Sequence, residues 1–240
     1  MEADKNKNGK LFLIPTTLGN NEPLEVLPIS IKRAIENIDH YIVENEKSAR
    51  HFIKKISSKK SQPGLHLELL NKYTEPGAIP SFLEPCFSGH HVGILSDAGC
   101  PGIADPGADV VRIAHEKGIQ VVPLVGPSSI LLGLMASGFN GQNFAFNGYL
   151  PIDTAERKTM IKRLEKVSKE QNQSQIFIET PYRNDKLLVE LIRVLSKTTM
   201  LCVACDITLS TEYIATKSVN EWKDVTVELH KRPTIFIIQA

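Results

Sequence analysis

The sequence has almost no excess of charge. Its 28 Lys and Arg residues stand against 27 Asp and Glu, a formal net charge of +1 over 240 residues. A strongly basic nucleic-acid binder is not indicated, and a local basic patch remains open to it. The densest cluster, Lys54, Lys55, Lys59 and Lys60, reads as a solvated helix end and loop. Long apolar runs are also missing: none approaches the about 20 residues that span a bilayer. The polar opening, MEADKNKNGK, has no secretory character, so a cytoplasmic location is expected. Four cysteines, Cys86, Cys100, Cys202 and Cys205, are too few for a disulfide framework and fit a reducing compartment. G-x-G-x-x-G, G-x-x-x-x-G-K-[ST] and H-E-x-x-H are all absent, which leaves a dinucleotide fingerprint, a P-loop and a zincin without support. Cys202-x-x-Cys205 has no second pair for zinc and lies in the apolar run MLCVACDITL, so it reads as buried strand. His90 and His91 are adjacent and face opposite ways, as surface or packing residues do.

Hydrophobic patterning, by contrast, is ample. With 42% hydrophobic and 23% charged residues the chain can bury a core, enough for two domains of roughly 120 residues each. Residues 1–10 read as a flexible tail. After it, strands at Leu11–Pro15, Tyr41–Val43, Leu65–Leu69, Val92–Leu95 and Ile119–Val125 alternate with helices over Pro28–Ile38, Glu46–Ile56 and Ile79–Phe87. Asp105-Pro106 reads as a helix start, and Gly118 as the end of that helix. Such alternation implies a mainly parallel sheet covered on both faces. Gly126-Pro127-Ser128-Ser129 opens a further helix, closed by Gly138. The second half carries more strands, at Ser174–Glu179, Met200–Ala204, Tyr213–Thr216 and Thr234–Gln239, with helices over Thr154–Lys169 and Arg183–Leu195. The expected organisation is two α/β domains, 11–125 and 126–240.

Three loops follow strands and are rich in glycine and proline: PTTLGN (15–20), SDAGCPGIADPG (96–107) and GPSS (126–129). In open parallel sheets ligands bind beyond the carboxyl ends of the strands. Glycine lets backbone N–H and C=O groups approach a ligand closely.

Five elements in order carry a resemblance over Leu11 to Ala240. They are P-T-x-x-G-N at Pro15–Asn20, S-D-A-G-x-P-x-I-x-D-P-G at Ser96–Gly107, V-V-P-L-x-G-P-S at Val121–Ser128, G-Y-L-P at Gly148–Pro151 and E-x-P-x-R at Glu179–Arg183. The chain resembles the tetrapyrrole (corrin/porphyrin) methylase superfamily, and within it the branch that methylates a cytidine ribose 2′-hydroxyl of small-subunit ribosomal RNA. The resemblance implies two α/β domains, S-adenosyl-L-methionine as cofactor in the cleft between them, a homodimer, an RNA substrate, and neither metal nor membrane. It places the cofactor against Ser96, Gly99, Cys100, Pro101 and Ile103, and against Ser128 and Ser129. Pro15, Leu150, Ala204, Pro233 and Thr234 close around it.

Methyl transfer to a hydroxyl is a positioning task that a general base assists. The carboxylates nearest the motifs are Glu44, Asp97 and Glu179. Glu44 ranks first because it ends a strand. The sequence departs from the branch at Glu44-Asn45-Glu46-Lys47, where E-D-T-R is usual. It departs again where Cys205 and Leu209 replace Arg and Lys, and where Arg232-Pro233 replaces a closing G-E. A tetrapyrrole C-methyltransferase, or a cofactor-binding member without catalysis, stands as the alternative.

Overall fold

A computed structural model describes residues 8–240. The chain divides into two compact units, Met1–Pro127 and Ser128–Ala240. Of the tail expected over 1–10, residues 1–7 lie outside the described residues. Gly9 donates its N–H to Cys86 O at 2.7 Å and Lys10 donates to His91 Nδ1 at 3.1 Å, so the end of that stretch is fastened.

The first unit runs β1 (Leu11–Ile14), α1 (Pro23–Val26), α2 (Ile29–Asn37), β2 (His40–Val43), α3 (Glu46–Ile56) and β3 (His66–Leu69). A 3₁₀ segment (Pro76–Leu83), α4 (Glu84–Phe87), β4 (Val92–Leu95), α5 (Ala108–Glu116) and β5 (Val121–Pro123) follow. The strands form one sheet in the order β3-β2-β4-β1-β5, every pair parallel. All four residues of β4 are buried, as expected of a central strand with both faces covered. On one face Leu11, Ile42, Val92 and Ile94 meet Val110 and Ile113 of α5. On the other, Ile14, Tyr41 and Leu95 meet Ile35 of α2 and Ile53 of α3. Gly93 makes that second face possible. A Cβ there would lie 2.8 Å from Ile14 Cδ1 and 3.0 Å from the Tyr41 ring. Tyr41 is thereby sunk against the strand, with its hydroxyl donating to Ile35 O at 3.2 Å.

At the amino edge of this sheet the parallel register sets His40 opposite His66. Their rings stack at 4.7 Å, and His90 tilts against His40 at 5.4 Å. Burial first, then the neighbouring imidazoles, push His40 below the usual histidine range. His91 instead lies edge-on to Phe12, at 5.3 Å between ring centroids.

Some boundaries differ from expectation. β5 is shorter than Ile119–Val125, and α1 replaces part of a turn. The helix start expected at Asp105-Pro106 is corrected: α5 begins at Ala108, with Gly107 as its N-cap and no side-chain cap. Gly102, Ala104 and Gly107 all have positive φ (77°, 59° and 133°), which turns the chain before the helix and frees Asp105 for another partner. Gly118, at φ 69°, closes α5 as expected, its N–H donating to His115 O.

The second unit runs α6 (Ser129–Ser137), β6 (Phe144–Tyr149), α7 (Thr154–Gln171), β7 (Ser174–Ile178), α8 (Asn184–Val194), β8 (Met200–Cys205), β9 (Tyr213–Ser218), α9 (Val219–Trp222) and β10 (Thr234–Gln239). Its sheet is mixed, ordered β6-β7-β10-β8-β9, with only β6 and β7 parallel. β6 is hard to read in sequence because its register shifts between Phe146 and Tyr149, with Gly148 at φ 64°. Phe177, Phe236, Leu191 and Trp222 lie in one core. The buried indole of Trp222 donates to Leu201 O at 2.8 Å, which avoids the ~1–3 kcal/mol cost of an orphaned donor. Cys202 and Cys205 are fully buried in β8, and burial raises both thiols. Among the described residues no helix is long and apolar enough to cross a membrane, and no group of three or more His, Cys, Asp or Glu is arranged to hold a metal.

Candidate active site

In the first unit β2, β4 and β1 are neighbours and parallel, so their carboxyl ends deliver three loops to one edge. Pro15 and Thr16 follow β1, Glu44 follows β2, and Ser96 and Asp97 follow β4. These loops are bonded to each other. Thr16 donates its N–H to Gly99 O at 2.9 Å and its hydroxyl to Ser96 O at 3.1 Å. Ser96 is buried and its hydroxyl donates to Ala98 O at 2.9 Å, tightening the turn. Gly126 closes the edge from the β5 side. A Cβ there would lie 2.2 Å from Pro15 Cγ, so only glycine permits this approach. Gly99, at φ 79°, lies under Leu18 and Pro127 O, and Cys100 Sγ points at Pro127 O, 3.4 Å away.

Glu44 and Asp97 come together here. The Asp97 N–H donates to Glu44 Oε1 at 3.2 Å, and Ser48 donates its hydroxyl to Asp97 Oδ1 at 2.6 Å. Ser48 is placed by the first turn of α3, where the Asn45 side chain accepts from the Lys47 and Ser48 N–H groups. Asp105 is the partner that sequence reasoning missed, because D-P before an apolar run reads locally as a cap. Its Oδ2 is buried and receives no hydrogen bond from a fixed donor. The Glu44 carboxyl faces it. Burial first, then the contact to Asp105 and the like charges of Asp105 and Asp97, push Glu44 up to about 7, against the pull of the Asp97 N–H. A protonated Glu44 carboxyl can donate to Asp105, which fits the upward direction of the shift. Beside this group lies a cavity of about 150 Å³, lined in part by Thr16, Ser48, His51, Phe52 and Asp97.

The loop 99–103 presents backbone outward. Pro101 is buried beneath it, Ile103 is 56% exposed, and nothing lies within 4 Å of a Cβ built on Gly102. Such a shelf fits a ligand that packs flat against main chain.

The remaining expected residues belong to the second unit. Ser128 is the N-cap of α6 and Ser129 its first residue. Leu150 is buried just after β6. Ala204 and Thr234 sit on neighbouring strands, Ala204 opposite Ile235 and Thr234 opposite Cys205, with Pro233 just before Thr234. Glu179 belongs to the second unit. It is buried after β7, where its Oε1 accepts from Arg183 Nη2 and from the Thr180 N–H, both at 2.6 Å. One of the family departures is engaged within the second unit: Arg232 Nε pairs with Asp206 Oδ2 at 2.7 Å, and Thr211 donates to the same oxygen at 2.8 Å.

No family model matches the chain. It is 31% identical over 209 residues to ribosomal RNA small subunit methyltransferase I of Vibrio cholerae, covering 85% of this chain and 67% of that protein. It is 27% identical over 248 residues to the protein of the same name from Escherichia coli O157:H7, covering 100% of this chain and 80% of that one. Among solved structures it superposes on the methyltransferase CobJ with a TM-score of 0.64 at 16% identity, over 96% of this chain and 94% of that chain. It also superposes on uroporphyrin-III C-methyltransferase from Thermus thermophilus, complexed with S-adenyl homocysteine, with a TM-score of 0.56 at 14% identity, over 96% and 97% of the two chains. Two α/β units on the tetrapyrrole methylase fold, joined to this level of sequence identity, make the chain a member of the ribosomal RNA small subunit methyltransferase I family.

Proposed function

We propose that this enzyme transfers a methyl group from S-adenosylmethionine to a ribose 2′-hydroxyl of small-subunit ribosomal RNA, with Glu44 as the general base. The observation that carries the assignment of the base is the Glu44 carboxyl held near 7 at the carboxyl edge of the first sheet. S-adenosylmethionine supplies a methyl on a sulfonium sulfur, so that an oxygen nucleophile displaces a neutral thioether. The backbone shelf 99–103, with Pro15 and Ser96 behind it, is the part of the first unit suited to hold that cofactor. Ser128, Ser129, Leu150, Ala204, Pro233 and Thr234 are its proposed contacts in the second unit.

The chain's own residues handle the proton. A ribose hydroxyl is a weak nucleophile at neutral pH, and a base is most useful when its pKa lies near the working pH. Glu44 meets that condition. It accepts the 2′-hydroxyl proton as the oxygen bonds to carbon, and the protonated carboxyl then donates to Asp105. Asp97, fixed by Ser48, holds the Glu44 carboxylate through its N–H and acts as a positioning residue. Glu179, spent on Arg183 and the Thr180 N–H, orders the E-x-P-x-R loop. The family resemblance further supports a homodimer acting in the cytoplasm.

Mapping of 2′-O-methyl marks in small-subunit ribosomal RNA tests the substrate. A deletion strain is expected to lose one mark, restored by the wild-type gene; if every mark persists, the substrate assignment falls. Light scattering that returns the mass of one chain would remove the dimer.

A further inference from the structure

We infer that the outward face of α7 is a docking surface for the ribose–phosphate backbone of RNA, an inference that rests on the RNA substrate proposed above. α7 has 18 residues. Lys158, Lys162, Lys166 and Lys169 follow one another at intervals of four, four and three. At 3.6 residues per turn they fall within about 80° of the helix circumference and span about 16 Å of its length. All four are exposed, and Ile161, Leu164 and Ser168 are buried on the other side.

Acidic residues are kept out of this stripe. Glu156 and Glu170 lie outside the arc. Glu165 is buried, and its Oε1 accepts from the Ser196 N–H and the Thr199 hydroxyl, each at 2.6 Å. Lys162 reaches the buried Glu165 at 3.5 Å, and Lys166 pairs with Glu170 at 3.7 Å. The second pair is exposed at both ends and holds its lysine weakly. Lys158 and Lys169 make no ion pair among the described residues. The turn fastened to Glu165 carries a further exposed lysine, Lys197.

The first unit's lysine cluster differs. Lys55 pairs with Glu22 at 3.2 Å, and Lys60, its side chain only 10% exposed, pairs with Asp39 at 2.7 Å. Those two cations are engaged within the fold, which leaves exposed Lys54 and Lys59 as a pair and not a row. A row of four exposed ammonium groups suits phosphates repeated along a strand, which positions RNA without reading its bases. A membrane surface fits less well. An interfacial helix needs exposed Trp, Phe or Leu beside its lysines, whereas Ile161 and Leu164 of α7 are committed to the second unit's core.

The test compares the full-length wild type with a Lys158→Gln, Lys162→Gln, Lys166→Gln, Lys169→Gln variant. The probe is unmodified small-subunit ribosomal RNA transcribed in vitro. Each phosphate contact contributes about 0.7–0.9 to the slope of log K against log salt. The variant is expected to show a slope shallower by about 3, and a KM for RNA raised about 10-fold or more, with S-adenosylmethionine affinity intact. Lys54→Gln, Lys59→Gln is expected to keep the wild-type slope. An active wild type with an unchanged slope in the α7 variant overturns the surface alone. An equal loss in the Lys54, Lys59 control overturns it too, as does equally tight binding to phosphatidylserine vesicles. A wild type that binds no ribosomal RNA removes the proposed substrate and the surface together.

Discussion

Glu44 is set apart from the chain's other carboxylates by what surrounds it. Burial, and then two carboxyl neighbours, oppose its anion and outweigh the backbone N–H that stabilises it. Activity is therefore expected to rise with pH as Glu44 loses its proton, with a midpoint at about 7. Glu44→Gln is expected to lower turnover by about 10²–10⁴-fold, the usual range for a lost general base. Calorimetry should show cofactor affinity preserved, and unchanged turnover would remove Glu44 from the chemistry. Asp105→Asn gives the sharper result. The amide removes a negative neighbour and offers Glu44 a donor, so the midpoint of the pH–rate profile is expected to move below 7. A midpoint that stays in place would show that burial alone sets the shift.

At the scale of the element, β4 shows how little tolerance the first sheet has. Gly93 is the one β4 position that a side chain cannot share with Ile14 and the sunken ring of Tyr41. Gly93→Val is expected to destabilise the protein by about 1–3 kcal/mol through overpacking, measured by denaturant melts. β4 and β1 were legible in sequence because strands buried on both faces read as unbroken apolar runs. α3 was legible from its amphipathic spacing. Asp105 was not, since D-P is the local signature of a helix start and the positive φ values at Ala104 and Gly107 are written in no single residue type. The short α9 carries a full capping box, Ser218 with Glu221, yet four residues are too few for a periodicity to announce it. Glu44 could be ranked from its place after a strand. Its partners Ser48 and Asp105 are neighbours only once α3 and the β4 loop are folded against the sheet.

For the molecule as a whole, the two units divide the labour in this account. The first carries the carboxyl group chemistry and the second carries the cationic helix, although the net charge of +1 disguises that segregation. Proton linkage is also shared out, within the first unit, along one short strand. β2 begins at His40 and is followed at once by Glu44. The folded protein holds His40 below its unfolded value of about 6.5, so its contribution to stability is lost as pH falls through that value. It holds Glu44 above the ordinary 4.5, at about 7, so stability is gained as pH falls between those two values. His40 and Glu44 thus pull in opposite directions over mildly acidic pH. Glu44→Gln removes one of the opposed contributions. The variant should melt a few degrees above wild type at pH 8 and lose that advantage at pH 5, as scanning calorimetry would record. A four-residue strand that starts at one proton acceptor and leads into another acts as a counterweight: the acid that would silence the proposed base works on stability against the acid that charges His40.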